Sequence, residues 1–208
     1  METSRLEAFS DGVIAVIITI MVLELRAPHG NDYAALLPLL PVFLSYVLSF
    51  VYIGIYWNNH HHMLHATSRI DGRTMWLNLH LLFWLSLVPF ATNWMGEEHF
   101  TTVPTILYRS VLTMAAIAYT LLQTAIVAYN GPDSAIARAV GGDWKGKVSL
   151  ASYLLSIPAA FVAPMLSDAI FIAVACIWFI PDRRIERENA RIKPAADSET
   201  GERRDRAV

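Results

Sequence analysis

The sequence predicts an all-α membrane protein with six spanning helices and a cytoplasmic N-terminus. Of the 208 residues, 55% are hydrophobic and 16% are charged, whereas soluble domains carry roughly 25% charged residues. The charges are also clustered, because long apolar runs alternate with short polar stretches and residues 182–208 hold much of the charge. A soluble protein would spread its charges along amphipathic helices. The pattern therefore indicates a chain that crosses a membrane several times.

A spanning helix needs about 20 mostly apolar residues. The runs that meet this requirement extend over about Leu6–Leu25, Leu36–Trp57, Thr74–Trp94 and Pro104–Tyr129. A fifth and a sixth helix share Val148–Ile180, with a tight turn near Pro164–Asp168. This pair is short, so one of the two helices is expected to be tilted or only just to span. The first run has no small-residue cleavage site, so it is expected to stay as a helix.

The distribution of Lys and Arg predicts the orientation, because these residues concentrate in short cytoplasmic loops. With the N-terminus inside, the outer loops contain only Arg26, and Arg109 lies within helix four. The other basic residues are then cytoplasmic: Arg5, Arg69, Arg73, Arg138, Lys145, Lys147 and those of the tail. An odd number of helices would place the basic tail outside. The charge pattern therefore favours six helices with both termini in the cytoplasm.

The predicted organisation is a transmembrane domain over residues 1–182 and a charged cytoplasmic tail over residues 183–208. The tail is poor in large apolar residues, so a fraying helix followed by disorder is expected there. Its basic residues are explained by topology and solvation more simply than by specific lipid binding. Cys176 is the only cysteine, which excludes an intrachain disulfide.

The first helix carries an acidic residue, Asp11, inside its apolar run. An Asp at the centre of a membrane helix costs about 2.5–3.5 kcal/mol on insertion scales, and Asp11 lies nearer the cytoplasmic end. Arg5 is about 120° away around the helix and Glu7 is a like charge, so Asp11 needs a donor from another helix. The candidates at the right depth close helix two: Trp57, Asn58, His60 and His61. Ser10, Asp11 and these partners form either a packing network or part of a gate, and the residues alone do not decide between the two.

A second face of the first helix is apolar. At about 100° per residue, Arg5, Gly12, Val16, Ile20 and Leu23 fall within about 80° of one another. Phe9 lies inside this stripe and Thr19 flanks it. Taken alone, the stripe fits packing against lipid or a neighbouring helix, and an isolated Thr19 would bond its own backbone one turn back. Glu24, just beyond Leu23, fits an ordinary solvated helix end.

Enzymatic motifs are missing: the sequence has no HExxH, GxSxG, phosphate-binding glycine loop or paired cysteine. His61 and His65 share a helix face and imidazole suits zinc, but only Asp71 lies nearby in sequence. We therefore expect no enzyme, no cofactor, no metal site and no nucleic-acid partner. The histidines are expected to bond Asp11 or to lie at the interface, where they would make the protein sensitive to pH near neutrality.

The string Arg5-xxx-Phe9-Ser10-Asp11 at the start of the first helix resembles the signature of bacterial relatives of transmembrane protein 175, the lysosomal potassium channel. Further matches lie in helices two and three: Tyr56-Trp57-x-x-His60-His61, Asn78-Leu79, Leu82-Phe83 and Leu87-Val-Pro89-Phe90-Ala-Thr92. The resemblance covers residues 5 to about 92. The last three helices match mainly by number and hydropathy.

The resemblance implies a homotetrameric, potassium-selective or potassium-preferring channel in a prokaryotic plasma membrane, with four first helices around the pore. The family lacks a carbonyl filter, and this chain has no TVGYG-like loop. Counted from the motif, the apolar constriction falls on Val16, Ile20 and Leu23, with a threonine layer at Thr19. Val16 is smaller than the Ile or Leu common in the family, which would widen the narrowest point. Potassium would be the permeant ion, with Glu24 concentrating cations at the outer mouth.

Two other functions remain open at this point. A proton-permeable or proton-coupled transporter would use Asp11 and the histidines. A membrane enzyme with a histidine-bound metal is the more distant alternative.

Overall fold

In the computed structural model, the described residues are 3–141, 146, 148–149, 151–156, 169–170, 172–174 and 176, and their regular structure is helical throughout. The helices are α1 (Thr3–Leu23), a 3₁₀ segment (Tyr33–Leu39), α2 (Leu40–His65), α3 (Gly72–Ser86), α4 (Val88–Glu97), α5 (Thr102–Asn130) and α6 (Ala135–Val140). An all-α architecture is therefore confirmed for the described part of the chain.

Within those residues, four helical segments are long and apolar enough to cross a membrane. They are Thr3–Leu23, Tyr33–His65, Gly72–Glu97 and Thr102–Asn130. These segments correspond to the first four predicted helices and make the chain a multi-pass membrane protein. The predicted fifth and sixth helices over Val148–Ile180 lie largely outside the described residues, although residues 151–156 are helical. The predicted tail, 183–208, lies wholly outside them.

The prediction that helix two ends at Trp57 is wrong. The helix α2 continues for two more turns to His65. Polar Asn and His residues end the hydropathy signal at Trp57, but they do not break a helix when their side chains find partners. Hydropathy measures where the apolar run ends, and the hydrogen-bonded helix extends beyond it.

The single predicted helix over Thr74–Trp94 is two helices. The helix α3 ends at Ser86 and α4 begins at Val88, with Pro89 in its first turn. Proline has no backbone N–H and its ring clashes with the preceding turn, so it is tolerated at a helix start but not in a helix interior. The two helices together still form one segment of 26 residues that is long enough to span.

The beginning of α3 is fixed by Asp71. Its carboxylate accepts hydrogen bonds from the backbone N–H of Thr74 at 2.8 Å and from the Thr74 hydroxyl at 2.7 Å. These bonds, the hydroxyl first, lower the pKa of Asp71. At the same end of the bundle, the Asn130 amide donates to the Arg69 carbonyl at 2.9 Å and accepts from its N–H at 3.1 Å. The loop before α3 is thereby joined to the end of α5.

The helix α1 packs against α2, α3 and α4, while α5 covers α3 and α4. The core between them is apolar, and Ile14, Ile53, Leu85 and Leu112 are almost completely buried. Consecutive spanning segments, with α3 and α4 counted as one, run in opposite directions. The start of α1, the α2–α3 loop and the end of α5 therefore lie at one end of the bundle.

The closest approach between α2 and α4 occurs at Gly96. A Cβ added there would lie 2.5 Å from Ser45 Oγ and 2.7 Å from Val42 Cα. The second contact is with backbone, which does not move aside as the end of a flexible side chain does. Gly96 therefore permits the two helices to touch, and this contact holds α4 beside α1 as well.

We predict that Gly96→Ala destabilises the protein by about 1–3 kcal/mol, the range for overpacking a well-packed core. Thermal unfolding of the purified protein in detergent measures this effect as a lower Tm. The matched control is Gly54→Ala in α2, where a Cβ meets nothing within 4 Å. Equal melting temperatures for the two variants would contradict the close approach.

Candidate functional site

Two faces of α1 have different environments. The buried face consists of Leu6, Ser10, Ile14, Ile17 and Met21. The predicted apolar stripe lies on the other side and is open at the protomer surface. Its exposed fractions are 51% at Phe9, 55% at Val16, 41% at Ile20 and 78% at Leu23. Arg5, Gly12, Thr19 and Glu24 are exposed as well. The structure therefore brings the stripe residues together on one surface of a single chain.

Part of the stripe, namely Phe9, Gly12, Val16 and Ile20, lines one wall of a groove of about 940 Å³. The other wall comes from α4, through Pro89, Phe90, Asn93 and Trp94. The rings of Phe90 and Trp94 stack with centroids 6.2 Å apart. Glu24 and Glu97 line the end of the groove at which α1 and α4 terminate. The sequence analysis missed this second wall. The sequence feature that indicated it was the Leu87–Thr92 segment, which resembles the family pattern but was assigned no function.

The hydroxyl of Thr19 donates to the carbonyl oxygen of Val16 at 2.8 Å. This is the backbone bond expected of an isolated threonine in a helix. Because the hydroxyl hydrogen points back into the helix, the lone pairs of the oxygen remain free to accept. Thr19 thus presents an acceptor beside the apolar stripe.

A buried polar network joins α1 to α2 and α3. The Ser10 hydroxyl donates to the Leu6 carbonyl at 2.8 Å and accepts from the Asn78 amide at 2.9 Å. The Asn78 carbonyl oxygen lies 2.7 Å from His60 Nε2. Since that oxygen only accepts, His60 Nε2 is the donor in this pair. Ser10, Asn78 and His60 are each completely buried, so these bonds give partners to the Ser10 hydroxyl, the Asn78 amide and His60 Nε2 where neither water nor lipid reaches. His60 Nδ1 is buried without a hydrogen-bond partner among the described residues.

The carboxylate of Asp11 obtains its donor from α2. The indole Nε1–H of Trp57 donates to Asp11 Oδ1 at 3.0 Å. One turn further along α2, His61 Nδ1 lies 2.8 Å from Glu7 Oε1. Of the predicted partners of Asp11, Trp57 donates a hydrogen bond to its carboxylate. His60 bonds Asn78 instead, and His61 lies beside Glu7.

Two members of this region were missed by sequence reasoning. Asn78 was noted only as a family match in helix three, and Glu7 only as a like charge near Asp11. Neither has a pattern that reveals its partner, because the contacts join residues 18 to 68 positions apart. The alternation of helix directions was the available signal, since it brings the start of α1, the end of α2 and the start of α3 to one end.

Arg109 is also placed by the structure. It lies in α5 with 3% of its surface exposed. An outward extension of its side chain to the membrane surface is therefore excluded, and its environment is the protein interior.

Together, the fold and this site define a class: a multi-pass α-helical membrane protein whose first helix is held by buried polar bonds and exposes an apolar stripe. Comparisons with known proteins agree with that class. The family profile described as the endosomal/lysosomal potassium channel TMEM175 matches residues 5–89. This segment contains all but the first two residues of α1 and the whole of α2 and α3, and hence every member of the polar network.

A potassium channel of Chryseobacterium sp. (strain P1-3) is 49% identical over 187 residues, which cover 90% of this chain and 97% of that relative. The crystal structure of a lysosomal potassium-selective channel TMEM175 homolog from Chamaesiphon minutus is similar with a TM-score of 0.73 and 27% identity, over 86% of this chain and 96% of that one. The endosomal/lysosomal proton channel TMEM175 of Gallus gallus is 31% identical over 56% of this chain and 26% of its own length.

The chain belongs to the TMEM175 family. The predicted family membership is therefore confirmed. The family comprises ion channels, and the apolar helices place this member in a membrane.

The polar network yields a prediction about stability. Asn78→Ala leaves Ser10 and His60 buried with lost partners, which costs about 1–3 kcal/mol for each buried unsatisfied group. We expect a lower Tm in detergent, and we expect Ser10→Ala to add less in the Asn78→Ala background than in the wild type.

The control pair is Asn78→Ala with Thr124→Ala. Thr124 is exposed on α5 and donates its hydroxyl hydrogen to the carbonyl of Thr120 in its own helix, so its effect is expected to be additive. Additivity for Ser10 and Asn78 as well would contradict a shared network.

Proposed function

We propose that this protein is a potassium channel that assembles as a homotetramer, with four copies of α1 around a central path. One observation carries the proposal: a helix long enough to span the membrane turns Val16, Ile20 and Leu23 outward along one stripe. One such stripe cannot enclose a path by itself, so several copies are needed. The permeant ion is K⁺, consistent with the names of the bacterial relatives.

The groove beside the stripe supports contact with a second copy rather than with lipid. Its lining includes Asn93, whose Oδ1 is buried without a hydrogen-bond partner in the described part of the protomer. It also includes the carboxylates of Glu24 and Glu97. Unpaired polar groups facing hydrocarbon are costly. A neighbouring protomer supplies both apolar cover and polar partners for this surface.

In the assembled channel, rings of Val16, Ile20 and Leu23 make a narrow apolar constriction that gates by dewetting. An ion crosses it only by shedding part of its hydration. K⁺ holds its hydration shell less tightly than Na⁺, so the barrier favours K⁺. The Thr19 oxygens, whose hydrogens are directed to Val16, replace part of the lost hydration with acceptor atoms.

The charged groups are consistent with this path. Glu24 and Glu97 place acidic groups near the outer end of the stripe and concentrate cations there. Arg5, Arg69, Arg73 and Arg138 fall at the opposite end of the bundle, by the helix directions, while Arg26 lies at the outer end. This asymmetry supports a plasma-membrane orientation with both termini in the cytoplasm.

A proton pathway is the second candidate, and a specific observation favours it. The animal relative from Gallus gallus is named a proton channel, and Glu7, Asp11 and His61 provide titratable groups at one end of α1. The constriction itself has no titratable side chain between Val16 and Leu23. A potassium path therefore explains the apolar segment from Val16 to Leu23, whereas a proton relay would need titratable groups there.

The test of the proposal measures K⁺, Na⁺ and H⁺ movement in liposomes at equal pH on both sides. We expect voltage alone to drive K⁺ flux. Val16→Asn wets the constriction and should raise the flux about tenfold, which corresponds to about 1.4 kcal/mol of barrier. Thr19→Val removes the acceptor oxygens and should move the K⁺/Na⁺ permeability ratio towards one.

Val22→Asn is the matched control for Val16→Asn, because Val22 is also exposed on α1 but lies about 120° around the helix from Val16. Unchanged permeability in Val16→Asn and Thr19→Val would reject the assignment of these residues to the path. Proton entry without K⁺ movement, abolished by Asp11→Asn, would instead establish the proton pathway.

A further inference from the structure

We infer that Glu7, Asp11 and His61 form a binding site for a divalent transition-metal ion that links α1 to α2. One potential ligand atom from each residue lies within 4.8 Å of the other two. The sequence analysis expected no metal, because it considered His61 only with His65 and Asp71. The fold brings two carboxylates from α1 to His61 instead.

The contact between His61 and Glu7 is unlike an ordinary hydrogen bond. Nδ1 of His61 lies 2.8 Å from Glu7 Oε1, yet this nitrogen is shielded from solvent and makes no hydrogen bond of acceptable geometry. Two ligands of one ion approach each other to about 3–3.5 Å, because each lies about 2.0–2.2 Å from the metal. The Nδ1–Oε1 distance is shorter than this spacing, and because the two atoms share no aligned hydrogen, no hydrogen bond has to be broken for them to separate around an ion.

Trp57 positions the side chains of Asp11 and His61. Its indole N–H donates to Asp11 Oδ1 at 3.0 Å, which fixes the carboxylate and leaves Oδ2 available. Its ring stacks on the imidazole of His61, with centroids 5.9 Å apart and planes 25° from parallel. Outer groups that hold ligands in this way are typical of metal sites. Each pair on a helix, Glu7 with Asp11 and Trp57 with His61, is spaced four residues apart and so shares a face.

The donor set determines the class of ion. One imidazole nitrogen and two carboxylate oxygens suit divalent first-row transition metals, whereas Mg²⁺ and Ca²⁺ prefer oxygen ligands alone. Two carboxylates beside a neutral imidazole carry two negative charges, which a divalent ion offsets. The side chains of Glu7 and His61 are 19% and 40% exposed, so an ion can enter from the aqueous end of the bundle.

The experiment uses Zn²⁺ as the probe, with the full-length protein stripped of metal by a chelator that is then removed. Isothermal titration calorimetry in detergent should find one Zn²⁺ per chain, and Zn²⁺ should raise the Tm by mass action. Glu7→Gln and His61→Gln should each weaken binding at least about tenfold, and Trp57→Phe, which keeps the stack but loses the N–H, by about tenfold.

His65→Phe is the control, since it keeps an aromatic ring next to His61. It removes the two ring nitrogens of His65, which are alternative metal donors on the same face of α2. It should bind Zn²⁺ as the wild type does. Melting in the presence of chelator verifies that each variant is folded. Failure of the wild type to bind, or loss of binding in His65→Phe but not in Glu7→Gln, would overturn the site. Neither readout depends on ion flux, so the result is independent of the proposed channel function.

Discussion

The rotation of α1 about its own axis depends on the hydrogen bonds that join Ser10 to Asn78 and Asn78 to His60. All three residues are completely buried, and each unsatisfied group in such a place costs about 1–3 kcal/mol. An α1 rotated away from this position would lose the bonds and expose Ser10. At about 100° per residue, Val16 and Leu23 lie about 120–140° around the helix from Ser10. Burying the serine therefore determines that the apolar stripe is left open.

The same constraint explains why polar residues cluster at one end of an otherwise apolar bundle. Asp11 and Glu7 lie at the start of α1, where α2 supplies Trp57 and His61 as partners. The stripe runs along another face of the same helix, past this cluster, and continues to Leu23. One helix therefore combines an anchored polar end with an apolar wall, and Gly96 places α4 close enough to form the second side of the groove.

The sequence predicted the features that depend on local composition. Long apolar runs located the four described spanning helices, and helical periodicity identified the exposed stripe from Val16 to Leu23. It failed where the outcome depends on tertiary partners or on hydrogen bonding within the backbone. The helix α2 continues past Trp57 because its Asn and His side chains have partners, and the α3–α4 break at Leu87 follows from Pro89. The pairings of Asn78 and Glu7 join distant positions, and no local pattern contains that information.

The central claim is that the stripes of neighbouring copies meet around one path. Disulfide cross-linking tests it directly, since Cys176 is the only cysteine and is replaced by Ser first. In that background, Leu23→Cys in the membrane should form intermolecular disulfides on mild oxidation, because the proposed assembly turns the Leu23 side chains of neighbouring copies towards a common axis. Val22→Cys, exposed on the other flank of α1, should not. Cross-linking at Val22 without cross-linking at Leu23 would contradict the account.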